Sequence, residues 1–96
     1  MDKIYIIGIG LIGGSFARDL RKLYPKAKIF GIDTTPAHVA EAVKIGLIDG
    51  EASISSLKDA DVVVLSIPVD IATKVLPDVL DHIGDQTLVI DMGSTQ

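Results

Sequence analysis

Residues 4–15 read IYIIGIGLIGGS, and residues 29–33 read IFGID. The first segment carries three glycines with the spacing G-x-G-x-x-G, namely Gly8, Gly10 and Gly13. A helix-like stretch separates the two segments, and Asp33 lies 20 residues beyond the last of these glycines. An apolar strand, a glycine-rich turn, a helix, a second strand and an acid, in this order, are typical of a dinucleotide-binding βαβ unit.

Composition and charge exclude several classes of protein. The chain has 96 residues, of which 48% are apolar, enough for one domain with a sheet buried on both faces. A net charge of −4 with no run of Lys or Arg argues against binding to nucleic acid. The lack of cysteine excludes disulfides and Cys-ligated metals. Residues 4–13 are too short to span a membrane and follow no basic leader, so we expect a cytoplasmic protein.

The spacing of apolar residues predicts strands that alternate with helices. The predicted strands cover residues 3–8, 28–32, 52–54, 62–67 and 87–91. The predicted helices cover residues 11–24, 36–46, one turn at 56–60, and 71–83, with Pro77 as a break or as the start of a second segment. Thr34 or Thr35 is predicted to cap the second helix, and Gly46 to end it in a left-handed conformation.

This alternation predicts a Rossmann-type α/β fold, a doubly wound parallel sheet with right-handed crossovers and the strand order 3-2-1-4-5. We expect residues 1–96 to form a single dinucleotide-binding domain that is truncated before the sixth strand of the usual sheet. The fifth strand would then be an exposed edge that carries Leu88, Val89 and Ile90, which predicts self-association of the chain.

The glycine turn suits a cofactor diphosphate. Gly8 permits the tight turn out of the strand, Gly10 lets the pyrophosphate approach the backbone, and Gly13 lets the helix pack closely. The backbone N–H groups of Leu11 and Ile12 open the helix and have no acceptor within it. We therefore expect these N–H groups to bind phosphate oxygens.

Asp33 is placed to select the cofactor. A carboxylate at the end of the second strand accepts hydrogen bonds from the ribose hydroxyls of the adenosine half and repels a 2′-phosphate. No Arg follows it, and Thr34 offers at most a hydroxyl, so we expect NAD rather than NADP. The alternative is that Asp33 caps the helix that begins near Pro36.

Residues Ser66, Ile67, Pro68 and Val69 follow the fourth predicted strand. Ligands of open parallel sheets bind outside the carboxyl ends of the strands, where the strand order reverses. We expect this segment to flank the adenosine, with Ile67 or Val69 in apolar contact. The alternative is that the proline serves only to end the strand.

The remaining titratable residues are predicted to lie at the surface. His38 falls in the first turn of one helix and His82 in the last turn of another, and a surface role is favoured for both over catalysis. No metal-ligand spacing is present in the sequence. The acidic pairs are interpreted as solvated charges, namely Asp59 with Asp61 and Asp78 with Asp81.

Four segments are more specific than the general pattern. They are GLIGGS at 10–15, GLID at 46–49, SIPV at 66–69 and DMGS at 91–94. In this order they resemble the cofactor domain of the prephenate dehydrogenase family, which includes cyclohexadienyl and arogenate dehydrogenases. The resemblance implies an NAD-dependent oxidoreductase of tyrosine biosynthesis that oxidises and decarboxylates prephenate to 4-hydroxyphenylpyruvate, or arogenate to tyrosine.

The resemblance also implies site residues. Ser94 matches a family serine near the nicotinamide and the substrate hydroxyl, whereas Gln96 stands where the family usually has Lys. The family's catalytic histidine lies beyond this segment, so neither His38 nor His82 inherits its role. A helical second domain, which would supply the substrate pocket and a homodimer interface, is absent from these residues. We therefore expect this piece alone to be inactive.

Two other functions are compatible with the sequence. One is another NAD-dependent enzyme with a similar fingerprint, such as a hydroxyacid dehydrogenase or an imine reductase. The other is a stand-alone domain that senses NAD or NADH and signals through a partner. The segment GGS at 13–15 argues against the first by resemblance, and a sheet that ends after five strands argues against the second.

Overall fold

A parallel sheet forms the centre of the computed structural model, which describes residues 2–92, and at positions 11 and 12 only the backbone. Within residues 2–92 the strands are β1 (Lys3–Ile7), β2 (Lys28–Ile32), β3 (Gly50–Glu51), β4 (Val62–Leu65) and β5 (Leu88–Asp91). All neighbours are parallel, in the order β3-β2-β1-β4-β5. This confirms the predicted Rossmann-type fold and its strand order.

Helices cover both faces of the sheet. They are α1 (Leu11–Leu23), α2 (Pro36–Lys44), α3 (Val69–His82) and a 3₁₀ helix at Ile54–Asp59. Alternate residues of β1 point to opposite faces, so Ile4 and Ile6 pack with α1 and α2, whereas Tyr5 and Ile7 pack with the 3₁₀ helix and α3. Burial on both faces explains why β1 and β4 are continuous apolar runs rather than alternating ones.

The third strand differs from the prediction. It is Gly50–Glu51 rather than residues 52–54, and it pairs with Phe30 and Gly31 of β2. The chain then turns into the 3₁₀ helix, which is longer than the single turn predicted at 56–60. Both shifts have one physical cause, because Ile54 and Leu57 are used to cover the sheet and not to extend it.

Other element ends move by one or two residues. β1 stops at Ile7 because Gly8 has a positive φ of 93°, and β4 stops at Leu65 rather than at residue 67. The left-handed conformation predicted for Gly46 is confirmed, with φ of 81°. Thr35 is the N-cap residue of α2, but its side chain makes no capping hydrogen bond.

Helix α3 runs through Pro77 without a break. The prolyl ring removes the N–H that would donate to the carbonyl of Thr73, four residues earlier. Thr73 and Pro77 are both exposed, so water can reach that carbonyl. The prediction of a break at Pro77 was therefore wrong, and the helix also begins two residues earlier than predicted, at Val69.

Asp49 sets the register of β3. Its backbone N–H donates to the carbonyl of Ile29 at 2.6 Å, and its carboxylate accepts the Ile29 N–H at 2.8 Å. The same carboxylate pairs with the Arg21 guanidinium of α1 at 3.0 Å. One side chain thus joins α1, β2 and the start of β3.

We expect Asp49→Ala to lower the free energy of unfolding by about 1–3 kcal/mol, because it leaves the half-buried Ile29 N–H without its acceptor. Urea denaturation measures the change. Asp19→Ala, at an exposed position of α1, is the control and should change stability by less than about 0.5 kcal/mol. Equal stability of the two variants would contradict the role given to Asp49.

Candidate nucleotide site

Three loops meet at the carboxyl ends of β1, β2 and β4. The Gly8 N–H donates to the carbonyl of Ile32 at 2.7 Å, and the Ser66 N–H donates to the carbonyl of Ile7 at 2.8 Å. The Ile9 N–H donates to the carboxylate of Asp33 at 2.7 Å. These hydrogen bonds fix the glycine turn against both neighbouring strands, at the point where the strand order reverses.

A cavity of about 360 Å³ opens among these loops. Six of the residues predicted from the sequence line it, namely Gly8, Gly10, Asp33, Thr34, Ser66 and Ile67. Apolar side chains from the 3₁₀ helix and α3 form another wall, namely Ile54, Ile71 and Val75. The cavity therefore combines an apolar wall with one carboxylate and exposed backbone, as ligand sites commonly do.

Gly8 and Gly13 permit a close approach of loop and helix. A Cβ atom at Gly8 would lie 2.5 Å from the carbonyl oxygen of Ser66, and a Cβ atom at Gly13 would collide with the carbonyl oxygen of Gly8. Gly10 differs, since a Cβ atom there would meet no atom within 4 Å. Gly10 thus keeps space open beside the cavity, while the other two glycines allow tight packing.

The N-terminus of α1 begins directly after Gly10, which lines the cavity. Gly10 is the N-cap residue, no side chain caps the helix, and its first turn contains no acidic residue. The first N–H groups of a helix, here those of Leu11 and Ile12, have no acceptor within the helix. Together with the helix dipole they form a site that favours an anion.

Asp33 follows β2 directly and accepts three hydrogen bonds. One carboxylate oxygen accepts the Thr35 N–H at 2.8 Å. The other accepts the Ile9 N–H at 2.7 Å and the Nδ1–H of His38 at 3.1 Å. Burial raises the pKa of Asp33, but the hydrogen bonds from Thr35, Ile9 and His38 outweigh it and the net shift is downward. Asp33 is therefore ionised at neutral pH.

Pro68 and Val69 lie outside the lining of this cavity. Pro68 is the N-cap residue of α3, and its carbonyl accepts the N–H groups of Ile71 and Ala72. Val69 begins the helix and is exposed. β4 ends three residues before Pro68, so in the structure Pro68 starts α3 rather than ending the strand. Of the predicted segment, Ser66 and Ile67 line the cavity, and a role of Pro68 and Val69 in cofactor binding stays a prediction.

His38 is the site residue that the sequence interpretation left at the surface. It is half-exposed, as predicted, but its imidazole bonds to Asp33 and lines the cavity. Its place in the first turn of α2, five residues after the acid, was the available signal. His82 does lie in the last turn of α3, where its Nδ1 lies 2.7 Å from the carbonyl of Asp78.

Asp61 is not simply a solvated charge. Its carboxylate accepts the N–H groups of Asp2 and Lys3, at 2.7 and 3.0 Å, at the start of β1. These hydrogen bonds, that of Lys3 first, lower the pKa of Asp61. Asp61 therefore lies at the opposite end of the sheet from the site, where it binds the backbone at the start of β1.

Three further points concern Ser94, metal binding and membrane-spanning helices. Ser94 lies outside the described residues. Within residues 2–92, no cluster of three or more His, Asp or Glu side chains is placed to hold a metal ion. The described helices also include none that is long and apolar enough to cross a membrane.

The parallel sheet, the glycine turn against an uncapped helix and the acid after β2 define a Rossmann-type nucleotide-binding domain. The sequence matches the family described as "Prephenate dehydrogenase, nucleotide-binding domain" over residues 16–96. The chain belongs to this family.

Relatives agree with this assignment over at least 93% of the chain. Prephenate dehydrogenase of Bacillus subtilis is 39% identical over 99 residues, covering 99% of this chain and 26% of the relative. The crystal structure of A. aeolicus prephenate dehydrogenase with hydroxyphenyl propionate and NAD+ has a TM-score of 0.89 and 36% identity, over 98% of this chain and 34% of that one. The crystal structure of Synechocystis arogenate dehydrogenase has a TM-score of 0.83 and 29% identity. The match covers 93% of this chain and 32% of that one.

The chain spans about a quarter of the length of the curated relatives that it matches. The family match favours the prephenate dehydrogenase family over the hydroxyacid dehydrogenases and imine reductases that were considered from the sequence.

We expect Gly13→Ala to destabilise the chain by about 1–3 kcal/mol, because the new Cβ atom would collide with the carbonyl oxygen of Gly8. Gly14→Ala is the matched control in the same helix turn, since its Cβ atom would lie 3.5 Å from Cδ1 of Leu47, an ordinary contact. Thermal unfolding should show a loss for the first variant and no loss for the second. The reverse order would mean that the turn does not require close packing.

Proposed function

We propose that this chain is the NAD-binding domain of an enzyme that oxidises and decarboxylates prephenate or arogenate. The observation that carries the proposal is the position of the ionised Asp33 in a cavity beside the uncapped N-terminus of α1. The family match and the NAD+ named with the A. aeolicus structure support it.

The residues present fit a dinucleotide. The N–H groups of Leu11 and Ile12 would hold the pyrophosphate, and the open space beside Gly10 would let it approach the backbone. The apolar side chains of Ile67 and Ile71 would cover the adenosine side. When bound, NAD supplies the acceptor for a hydride from the substrate. The chain's part is to hold and orient that cofactor.

Asp33 would select NAD over NADP. A carboxylate accepts hydrogen bonds from ribose hydroxyls but repels a 2′-phosphate. The residues that follow, Thr34, Thr35 and Pro36, carry no positive charge that would offset this repulsion. The lowered pKa of Asp33 keeps the carboxylate charged at neutral pH, so its repulsion of a 2′-phosphate is present there.

The proposal extends to the substrate side of the enzyme. We expect Ser94 to lie near the nicotinamide and the substrate hydroxyl, as the family resemblance implies. This chain matches only about a quarter of the relatives' length. We expect the remaining part of such an enzyme to supply the substrate pocket, a proton-accepting histidine and a homodimer interface. A small-molecule substrate and a cytoplasmic location complete the proposal.

We expect Asp33→Asn to weaken NAD binding about tenfold and to reduce the preference for NAD over NADP, because the charge is lost while one acceptor oxygen remains. Isothermal titration of both cofactors measures the two dissociation constants. Asp85→Asn, at the opposite end of the sheet before β5, is the control. An unchanged preference in the Asp33 variant would contradict the selective role of the carboxylate.

We expect the 96-residue chain to bind NAD but to form no NADH from prephenate or arogenate, since we assign the substrate pocket to the part of the relatives' length that these residues do not match. The full-length protein should form NADH, followed by absorbance, from at least one of the two substrates. Turnover by the 96-residue chain would refute the assignment of catalysis to other parts of the protein. A full-length protein that binds NAD and oxidises neither substrate would favour the sensor alternative.

A further inference from the structure

The carboxylate of Asp33 has too few free acceptor positions for a ribose diol. Its two oxygens offer about four lone-pair positions. Three are already used, by the N–H groups of Ile9 and Thr35 and by the imidazole of His38. Because an ionised carboxylate only accepts, the Nδ1 atom of His38 must carry the proton that it shares. One position remains, whereas the 2′- and 3′-hydroxyls of an NAD ribose require two.

The His38 hydrogen bond is the one that can open. The other two donors are backbone N–H groups held in the β1–α1 and β2–α2 loops. The His38 bond is the longest of the three, at 3.1 Å, and its side chain is 49% exposed while that of Asp33 is 9% exposed. A released imidazole is therefore hydrated at once, whereas a released Ile9 N–H would be left part-buried and unsatisfied.

The structure also provides a place for the released side chain. His38 and Gly10 also line a second cavity, of about 380 Å³, to which α1 and α2 both contribute residues. Arg18 of α1 and Glu41 of α2 are the charged residues that line this second cavity. Because His38 lines both cavities, a change of its side-chain rotamer would carry the imidazole from the first cavity toward the second.

We infer that His38 is a specificity-determining residue that competes with the ribose 2′-hydroxyl for the carboxylate of Asp33. This rests on the proposed function, in which Asp33 binds the ribose of NAD. The 2′-hydroxyl takes the position of the Nδ1 donor as NAD binds, and His38 turns toward the second cavity. NADP has no 2′-hydroxyl to donate, so it gains nothing from this exchange. His38 thus weakens NAD binding and narrows the preference for NAD over NADP.

The test is a titration of NAD and NADP into wild-type protein and three variants, all made in the 96-residue chain. His38→Ala removes the competing donor and should lower the dissociation constant for NAD about threefold to tenfold, the factor that one hydrogen bond corresponds to. Its dissociation constant for NADP should not fall. His38→Asn keeps an N–H donor near the Nδ1 position and should stay within about twofold of wild type for NAD. His82→Ala, at the other histidine, is the matched control and should match wild type.

A spectroscopic measurement on the wild type tests the same exchange without a variant. The ¹⁵N resonances of the two imidazole rings are followed by NMR during titration with NAD. The Nδ1 resonance of His38 should move toward the value of a water-bonded imidazole, and that of His82 should stay in place. The NMR titration of the wild type therefore tests whether NAD displaces His38 from Asp33 even if the His38→Ala chain fails to fold.

The outcomes separate the inference from the proposed function. If wild type binds NAD but His38→Ala binds it equally or more weakly, or if NAD leaves the His38 resonance unmoved, His38 is not a competitor and the inference fails alone. If wild type binds neither cofactor, the proposed function fails and the inference falls with it.

Discussion

The hydrogen bond from the Ile9 N–H to the Asp33 carboxylate holds the candidate site together. It joins the glycine turn after β1 to the end of β2 over a distance of 2.7 Å. The turn is already fixed on its other side by the Ser66 N–H, which donates to the carbonyl of Ile7. The start of α1 is therefore held between β2 and β4, and its N-cap residue, Gly10, lines the same cavity as Asp33. Displacement of Asp33 would loosen the turn as well as remove the charge.

This arrangement places opposite electrostatic features close together. The N-terminus of α1 favours negative charge, and Asp33 supplies one within the protein itself. The carboxylate repels a phosphate on the ribose, while the helix attracts the pyrophosphate through backbone groups that carry no formal charge. A domain with a net charge of −4 can therefore bind an anionic cofactor, because the attraction is local. Discrimination between the cofactors is assigned to Asp33 and attraction of the pyrophosphate to the start of α1, but the hydrogen bond from Ile9 to Asp33 couples the two, so a change at Asp33 is expected to affect both.

Much of the fold could be predicted from the sequence, because long apolar runs and glycine spacing report burial and tight turns directly. β1, β2 and β4 and the strand order were predicted correctly on that basis. β3 was misplaced because two residues carry no periodicity, and its position depends on Asp49 binding the backbone of Ile29 across the sheet. The continuity of α3 through Pro77 likewise depends on solvent around the helix, which sequence spacing does not report.

The site was predictable where backbone geometry decides it and less so where side chains do. Gly8, Gly13 and Asp33 have their positions set by the βαβ unit, whose pattern the sequence displays. His38 reaches the cavity from the first turn of α2, and its position five residues after Asp33 was a signal that the sequence interpretation did not use. Ile54, Ile71 and Val75 were missed for a similar reason, because they reach the cavity from elements that follow other strands.

A crystal of the 96-residue chain soaked with NAD would show whether Asp33 and the start of α1 hold the cofactor together. We expect density for the adenosine ribose with a hydroxyl within about 3 Å of the Asp33 carboxylate, and for the pyrophosphate at the N–H groups of Leu11 and Ile12. Cofactor bound with its ribose away from Asp33, or a crevice left empty in a crystal saturated with NAD, would contradict this expectation.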